Sequence, residues 1–298
     1  MINNFKDYSI VEMVASGASS VEKYKLIKNN KYYLLRLFDI RFMSSRYIAL
    51  ENMELLSKNN INVPKVYDKG IFNDKKGYAL IEWVDGISLE DKLLTVDDEI
   101  NYGKISAIEL RKMHSIKTSF QQSEYENLLR KFQRKIEKLN SLNLNISDLD
   151  ILKKYVEYNV DILKENNTNS IIHGDFHPGN LVVNNNNNIT FIDMDVCKIS
   201  HPWHDLSSNA CNMEYPNFYS SVITNYFDEH IPDDFWKVYN VFGCYYVLDY
   251  ILYSLRTNGK TIDDGNKKLI EFLNYTNGLR NEIPSWYNKK INSKEKRL

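Results

Sequence analysis

The most informative segment of the chain is His173-Gly174-Asp175-Phe176-His177-Pro178-Gly179-Asn180, and Phe191-Ile192-Asp193 follows it closely. Together they supply two carboxylates and one side-chain amide. A phosphoryl-transfer site needs little more, because it mainly orients a hydroxyl and neutralises phosphate charge with Mg²⁺. We expect Asp175 to accept the proton of an acceptor hydroxyl. Asn180 and Asp193 are expected to bind the metal through oxygen atoms, which suit a hard cation.

The pattern around these residues indicates how they could meet. Gly174 and Gly179 permit a tight, irregular loop. Apolar runs at 181–183 and 189–192 predict two short strands joined by a polar turn. Such a hairpin returns Asp193 toward the loop, so we expect the three oxygen-bearing side chains to converge.

The ordered set resembles the small-molecule kinases of the aminoglycoside phosphotransferase and choline kinase-like family, distant relatives of protein kinases. The loop has the family's HGDxHxGN pattern, and Asp205-Leu206 follows the Ile192-Asp193 pair as in the family. The resemblance implies an α+β, bilobal protein kinase-like fold. It implies a small antiparallel-sheet N-terminal nucleotide-binding lobe over residues 1–84 and a mostly helical C-terminal catalytic lobe over residues 85–298. It also makes Asp175 the catalytic base and Asp205 a structural brace of the catalytic loop.

Periodicity in the chain agrees with this order of elements. Apolar and aromatic runs predict strands at Ser9–Ala15, Val21–Ile27, Lys31–Phe38, Val66–Tyr67 and Tyr78–Val84. Helical spacing predicts a helix over Ser44–Lys58. Further helices are expected at Tyr102–Met113, across Gln121–Asn166, and over His204–Thr224, Asp233–Arg256 and Gly265–Glu282.

The resemblance also assigns residues that contact the phosphates of a nucleotide. The loop between the first two strands would cover them with Ser16, Gly17, Ser19 and Ser20, although this segment with its one glycine, taken alone, would better fit a plain hairpin turn. Arg36 stands where the family carries a lysine for the α and β phosphates. An arginine fork can grip phosphate at two points, whereas a solvated strand charge is the plainer alternative.

The same match assigns the anchor of Arg36 and the purine-binding hinge. Glu51 is the preferred partner of Arg36, with Glu54 as the alternative, although an ungapped match would put Ala49 there. At the hinge, the backbone carbonyl of Glu82 and the backbone amide of Val84 would hold the purine edge.

A metal-centre alternative uses the histidines of the same region. His173, His177, His201 and His204 could join Asp175 as ligands of a zinc or iron hydrolase. In that alternative the Pro-Gly turn of the loop and the later Asp193 have no role, so the kinase interpretation is preferred.

Composition excludes several other classes. The chain has 298 residues, 43% hydrophobic and 26% charged, with a net charge of −1, which gives no general attraction to nucleic acid. No signal peptide is recognisable, and the longest apolar stretch, Phe242–Tyr253, contains Asp249, which argues against a membrane span. Three cysteines without a paired motif fit a reducing compartment. We expect a cytoplasmic monomer.

The expected activity is therefore transfer of a phosphoryl group from ATP or GTP, with Mg²⁺, to a hydroxyl of a small molecule. An aminoglycoside or related amino sugar is the leading acceptor. Acidic residues near Pro232, at Asp249 and at Asp263-Asp264 could hold a cation, although solvated helix caps explain the same residues at least as well. A housekeeping kinase of the choline or sugar type is equally open. A second class is a nucleotide-binding regulatory protein with weak catalysis, suggested by Arg36 in place of lysine.

Overall fold

The computed structural model describes residues 5–14, 21–116, 118, 123–142, 144, 146, 148–165, 168–211, 213–257 and 259–291. In chain order the strands are β1 Ser9–Val14, β2 Glu22–Lys28, β3 Lys31–Asp39, β4 Val66–Asn73, β5 Lys76–Glu82, β6 Ile87–Ser88, β7 Ser170–Ile172, β8 Leu181–Val183, β9 Ile189–Phe191 and β10 Lys198–Ser200. The α-helices are α1 Met43–Lys58, α2 Val96–His114, α3 Glu124–Ser141, α4 Leu149–Asn159, α5 Ile162–Glu165, α6 Trp203–Leu206, α7 Pro216–Tyr226, α8 Phe235–Ser254 and α9 Ile262–Tyr275.

The described chain divides into two compact units. The first contains the residues up to Lys92 together with Pro178–Lys198, and the second contains Leu93–His177 and the chain from Ile199 onward. An antiparallel sheet dominates the first unit and helices dominate the second, which confirms the predicted α+β class. The predicted lobe boundary between Val84 and Asp85 stays a prediction.

The first unit contains a five-stranded antiparallel sheet, with the strand order β1-β2-β3-β5-β4. The two-residue turn Asn29-Asn30, with φ angles of 50° and 58°, joins β2 to β3. Positive φ at both turn residues is typical of the tight hairpins whose twist matches the flanking strands. The turn fixes the register, so that Lys23 lies directly opposite Arg36.

The β4–β5 hairpin is longer than the sequence pattern indicates. The predicted strand Val66–Tyr67 extends to Asn73 and pairs with β5 through most of its length. The side chain of Asn73 accepts hydrogen bonds from the backbone amides of Lys75 and Lys76, both at 2.9 Å. This side-chain turn closes the hairpin and allows polar residues to continue the strand.

The predicted hairpin at 181–192 is confirmed as β8 and β9, which form a three-stranded sheet with β6. Two backbone bonds tie its end to the rest of the first unit. The amide of Phe191 donates to the carbonyl of Asn62 at 3.0 Å, and the amide of Ile192 donates to the carbonyl of Asn180 at 2.9 Å. Asp193 therefore comes directly after a residue that is bonded to Asn180.

In the second unit, α2 and α7 pack closely together. Gly103 of α2 has no room for a side chain, because a Cβ there would lie 2.5 Å from the carbonyl oxygen of Phe218. Pro216 occupies the first turn of α7, where its missing amide costs nothing. This proline begins a new helix, so the helix predicted over His204–Thr224 forms instead as two helices, α6 and α7.

The predicted helix across Gln121–Asn166 is likewise replaced by α3, α4 and α5. Asp148, just before α4, has a φ of 63°, and a left-handed residue cannot continue a right-handed helix. The later part of this unit begins at Ile199, within β10, and β10 pairs with β7. Most side chains of α8 are buried, as expected for a helix that is apolar on most of its circumference. Among the described residues, no helix combines the length and apolar character needed to cross a membrane.

Candidate active site

Asp193 follows β9 and lies at the centre of a cluster of charged side chains in the first unit. Nη2 of Arg36 donates to Oδ1 of Asp193 at 2.8 Å, and Nζ of Lys23 donates to Oδ2 at 3.3 Å. Burial raises the pKa of this carboxyl, but Arg36 and Lys23 outweigh the effect and lower the pKa to about 2. Asp193 is therefore ionised at neutral pH, as a metal ligand must be.

A second carboxylate, Asp195, also binds Arg36. Nη2 of Arg36 donates to Oδ2 of Asp195 at 2.5 Å. Nη1 of Arg46, near the start of α1, lies 2.6 Å from the same oxygen and donates to the backbone carbonyl of Asp195 at 3.0 Å. Burial raises the pKa of Asp195 above its usual value, although Arg36 and Arg46 favour the carboxylate.

The expected pairing of Arg36 with a glutamate of α1 does not form in this structure. Glu51 lies on the exposed face of α1, whereas Ala49 and Asn52 lie on its buried face. Glu54 pairs with Lys69 at 2.9 Å. A nucleotide-binding role for Glu51 stays a prediction, but the carboxylates around Arg36 come from the segment after β9.

The other predicted metal ligand, Asn180, ends a short 3₁₀ turn, Pro178–Asn180, and is 7% exposed. Ser88 supports this turn, because its hydroxyl donates to the carbonyl of Gly179 at 3.2 Å. An ionised carboxylate at Asp193 and an amide oxygen at Asn180 are the donor types that suit Mg²⁺, so these residues fit the metal that the family resemblance implies. Within the part of the chain that the structure describes, no group of three or more His, Cys, Asp or Glu side chains is placed to hold a metal ion.

The predicted hinge lies at the end of β5. The amide of Glu82 donates to the carbonyl of Lys65 at 2.8 Å, and a side-chain oxygen of Glu82 accepts from the amide of Lys65 at 3.2 Å. The amide of Val84 has no hydrogen-bond acceptor among the described residues, and its role at the hinge stays a prediction. Ser16, Gly17, Ser19 and Ser20 of the predicted phosphate loop lie outside the described residues.

In the second unit, a buried carboxylate fixes the backbone that carries Asp175. Asp205 is 0% exposed, and its two oxygens accept hydrogen bonds from the amides of His173 at 2.7 Å and Gly174 at 2.8 Å. The expectation that Asp205 braces this loop is confirmed, whereas the catalytic role of the loop stays a prediction. The side chain of the next residue, Asp175, is 59% exposed, with Nε2 of His177 at 3.9 Å. A fixed backbone with an accessible carboxylate is a suitable arrangement for a general base.

Two further buried side chains complete this brace. Nε2 of His114 lies 3.1 Å from Oδ2 of Asp205, and Nδ1 of His114 lies 2.9 Å from the hydroxyl of Tyr226. Burial raises the pKa of Asp205, but the hydrogen bonds from His114 and Gly174 and the nearby histidines lower it below the ordinary value. His114 therefore packs and hydrogen-bonds beside the loop.

The structure thus brings together Arg36 and Asp193, and it adds three residues that the sequence analysis did not assign. These are Lys23, Arg46 and Asp195. Lys23 could have been found from the two-residue turn after β2, because that turn sets it opposite Arg36. Asp195 could have been suspected from its position two residues after Asp193, whereas no local pattern singles out Arg46.

Comparison with known proteins gives a family and a fold. A sequence model of the phosphotransferase enzyme family matches residues 11–232. No curated protein matches the chain. Among solved structures, a candidate fructosamine-3-kinase from Haemophilus somnus 129PT is 17% identical, with a TM-score of 0.66 and coverage of 89% of this chain and 92% of that chain.

Two aminoglycoside phosphotransferase structures are similar as well. A thermostable mutant of APH(4)-Ia, in ternary complex with ADP and hygromycin B, has 13% identity and a TM-score of 0.70 over 91% of this chain and 96% of that chain. The GDP and kanamycin complex of APH(2")-IIia has 20% identity and a TM-score of 0.68 over the same shares, 91% and 96%. At these identities the likeness shows the protein kinase-like fold. Since the family match covers most of the chain, the protein belongs to the phosphotransferase enzyme family.

Proposed function

We propose that the protein transfers the γ-phosphate of ATP or GTP to a hydroxyl of a small molecule, most favourably an aminoglycoside or a related amino sugar. The observation that carries this proposal is the brace by Asp205, which fixes the backbone at His173 and Gly174 and leaves the carboxylate of Asp175 accessible. A phosphotransferase of this family needs such a carboxylate to receive the acceptor's proton.

The roles of the other residues follow from their chemistry. Arg36 binds donor phosphates through its guanidinium, and Val84 offers a backbone amide to the purine. Asn180 and Asp193 would hold Mg²⁺, which would shield the phosphate charge and polarise the transferred group. Asp175 accepts the proton of the attacking hydroxyl as the new P–O bond forms, and the nucleoside diphosphate leaves.

Support for an amino-sugar acceptor comes mainly from the related structures. The complexes of APH(4)-Ia and APH(2")-IIia contain hygromycin B and kanamycin. The acidic residues of the second unit give weaker support, because several already have partners. Asp228 pairs with Arg111, and Asp249 pairs with Lys135.

Asp264, in the same acidic set, caps the first turn of α9 by accepting from the amide of Thr261 at 2.7 Å. A capping carboxylate already has a structural use, so it adds no argument for a bound cation. A housekeeping kinase remains the second candidate, and the likeness to the candidate fructosamine-3-kinase favours a sugar-type acceptor within that class. We propose the cytoplasm as the site of action, because that compartment supplies ATP and GTP.

The experiment is a matched screen of donors and acceptors. Purified protein is incubated with Mg²⁺, with ATP or GTP, and with aminoglycosides, fructosamines, choline or nucleosides, and the formation of nucleoside diphosphate and phosphorylated product is followed. We expect product with at least one amino-sugar acceptor and loss of that product in Asp175→Asn. Nucleotide binding without transfer to any acceptor would instead favour the regulatory nucleotide-binding protein.

A further inference from the structure

The guanidinium of Arg36 has two carboxylate partners on one nitrogen. Arg36 is 5% exposed, and its Nη2 donates to Oδ1 of Asp193 and to Oδ2 of Asp195. Among the residues that the structure describes, Nε of Arg36 has no hydrogen-bond partner. A buried donor left in this way is costly unless a ligand or solvent satisfies it.

The two carboxylates differ in what else they contact. Asp193 faces Lys23 and is the predicted metal ligand. Asp195 contacts α1 through Arg46, which binds both its side chain and its backbone carbonyl. If Asp193 coordinates a metal, less of its charge is available to Arg36. Asp195 is not assigned to the metal.

The family resemblance implies that α1 supplies a carboxylate for Arg36, but α1 instead provides a cation, Arg46. The acidic residues of α1 lie elsewhere, since Glu51 is exposed and Glu54 pairs with Lys69. The connection from strand to helix therefore runs from Arg36 to Asp195 to Arg46. The carboxylate stands in the middle, and the charges at both ends are positive.

We propose that Asp195 is a positioning residue for the phosphotransferase reaction: it holds Arg36 in place for the donor phosphates while Asp193 serves the metal, and Arg46 links this arrangement to α1. The inference rests on the proposed function, because it assigns Arg36 to the phosphates. Asp195 acts through Arg36 and does not itself contact the substrate.

The test measures nucleotide binding, which requires no knowledge of the acceptor. The full chain is titrated calorimetrically with ADP and with GDP in the presence of MgCl₂, using wild type, Asp195→Asn, Asp195→Glu, Arg36→Gln and the double variant Arg36→Gln/Asp195→Asn. Glu54→Gln serves as the matched control, because it removes an ion pair of α1 that does not involve Arg36.

We expect Asp195→Asn to weaken binding of the preferred diphosphate by about tenfold, the value of one charge-assisted contact. Asp195→Glu should recover part of this loss, and Glu54→Gln should bind like the wild type. In the Arg36→Gln background, Asp195→Asn should cause no further loss, because the residue it positions is gone. A purely structural role would give additive losses.

The outcomes separate the inference from the function beneath it. If the wild type binds nucleotide and Arg36→Gln weakens it while Asp195→Asn binds normally, the inference is wrong and the proposed function stands. If the wild type binds neither ADP nor GDP, the proposed function fails and takes the inference with it. Should Asp195→Asn not fold, Arg46→Gln replaces it, and normal binding by Arg46→Gln overturns the proposal.

Discussion

Nη2 of Arg36 donates a hydrogen bond of 2.8 Å to Oδ1 of Asp193. Arg36, which we propose to bind the donor phosphates, thus contacts Asp193, which we propose to bind the metal. Attraction by Arg36 and Lys23 overcomes the effect of burial and holds the pKa of Asp193 at about 2. This contact has consequences for stability that can be measured without any substrate.

The first prediction concerns Asp193→Asn and the dependence of stability on pH. A carboxylate whose pKa is lower in the folded protein than in the unfolded chain stabilises the fold above its unfolded pKa, and this stabilisation is lost as the pH falls through the folded pKa. Because the side chain of Asp193 is one-third exposed, we expect the wild type to exceed the variant by only about 1–2 kcal/mol in unfolding free energy near neutral pH.

The difference should shrink between about pH 4 and about pH 2, which urea denaturation at a series of pH values will show. Asp150→Asn is the control, because Asp150 is an exposed carboxylate of α4. Its stability should follow the wild type throughout. A difference for Asp193→Asn that stays constant down to the lowest pH would contradict the ionised pair.

The second prediction concerns Asp175→Asn. Loss of the carboxylate removes the proton acceptor, so kcat should fall by about 10²- to 10⁴-fold with the acceptor that the screen identifies. Nucleotide affinity should remain within about twofold of the wild type, because Asp175 is accessible and is not assigned to the phosphates. Steady-state kinetics and calorimetric titration with ADP measure the two quantities. Turnover at the wild-type rate would refute the role of general base.

The third prediction concerns Asp205→Ala, which removes the acceptor for the amides of His173 and Gly174. Because Asp205 is fully buried and pairs with His114, we expect its loss to lower the unfolding free energy by about 3–5 kcal/mol. Hydrogen exchange followed by mass spectrometry should show faster exchange at His173 and Gly174. His114→Phe is the comparison, because it keeps the carboxylate and both amide bonds; its peptide should exchange more slowly than that of Asp205→Ala. Unchanged exchange in Asp205→Ala would show that the brace is unimportant.

Local patterns in the sequence predict much of this architecture. The apolar runs at 181–183 and 189–192 have a strand period and a polar turn between them, and that information is sufficient for a hairpin. The Asn29-Asn30 turn is similarly local. Once its two residues are known, the register of β2 and β3 follows, and with it the position of Lys23 opposite Arg36.

The partners of Arg36 could not be predicted in this way. They depend on which face of α1 is buried, and the family match that favours Glu51 does not identify that face. The structure exposes Glu51 and brings Asp195 to Arg36 across 159 residues of sequence. Contacts over such separations result from the packing of several elements, which single-residue patterns do not encode.

The last prediction concerns Gly86, which follows the hinge. Its φ is 149°, and a Cβ there would lie 2.4 Å from the carbonyl oxygen of Val183 and 2.6 Å from Cγ1 of Val182. Gly86→Ala therefore combines backbone strain with a steric clash, and we expect it to lower the unfolding free energy by about 2–4 kcal/mol. Gly259→Ala is the matched control, because Gly259 also has a positive φ, 81°, but no described atom lies within 4 Å of its added Cβ. That control should lose only about 1 kcal/mol.

The clash at Gly86 has a functional consequence as well. Val183 is the last residue of β8, and the β8–β9 hairpin leads to Asp193. Displacement of β8 in Gly86→Ala should therefore also weaken nucleotide binding. Gly259→Ala should leave nucleotide binding unchanged. Urea denaturation and calorimetric titration of both variants measure the two effects. Equal losses of stability in the two variants would mean that backbone strain alone matters, and that the close approach of Gly86 to β8 does not position the hairpin.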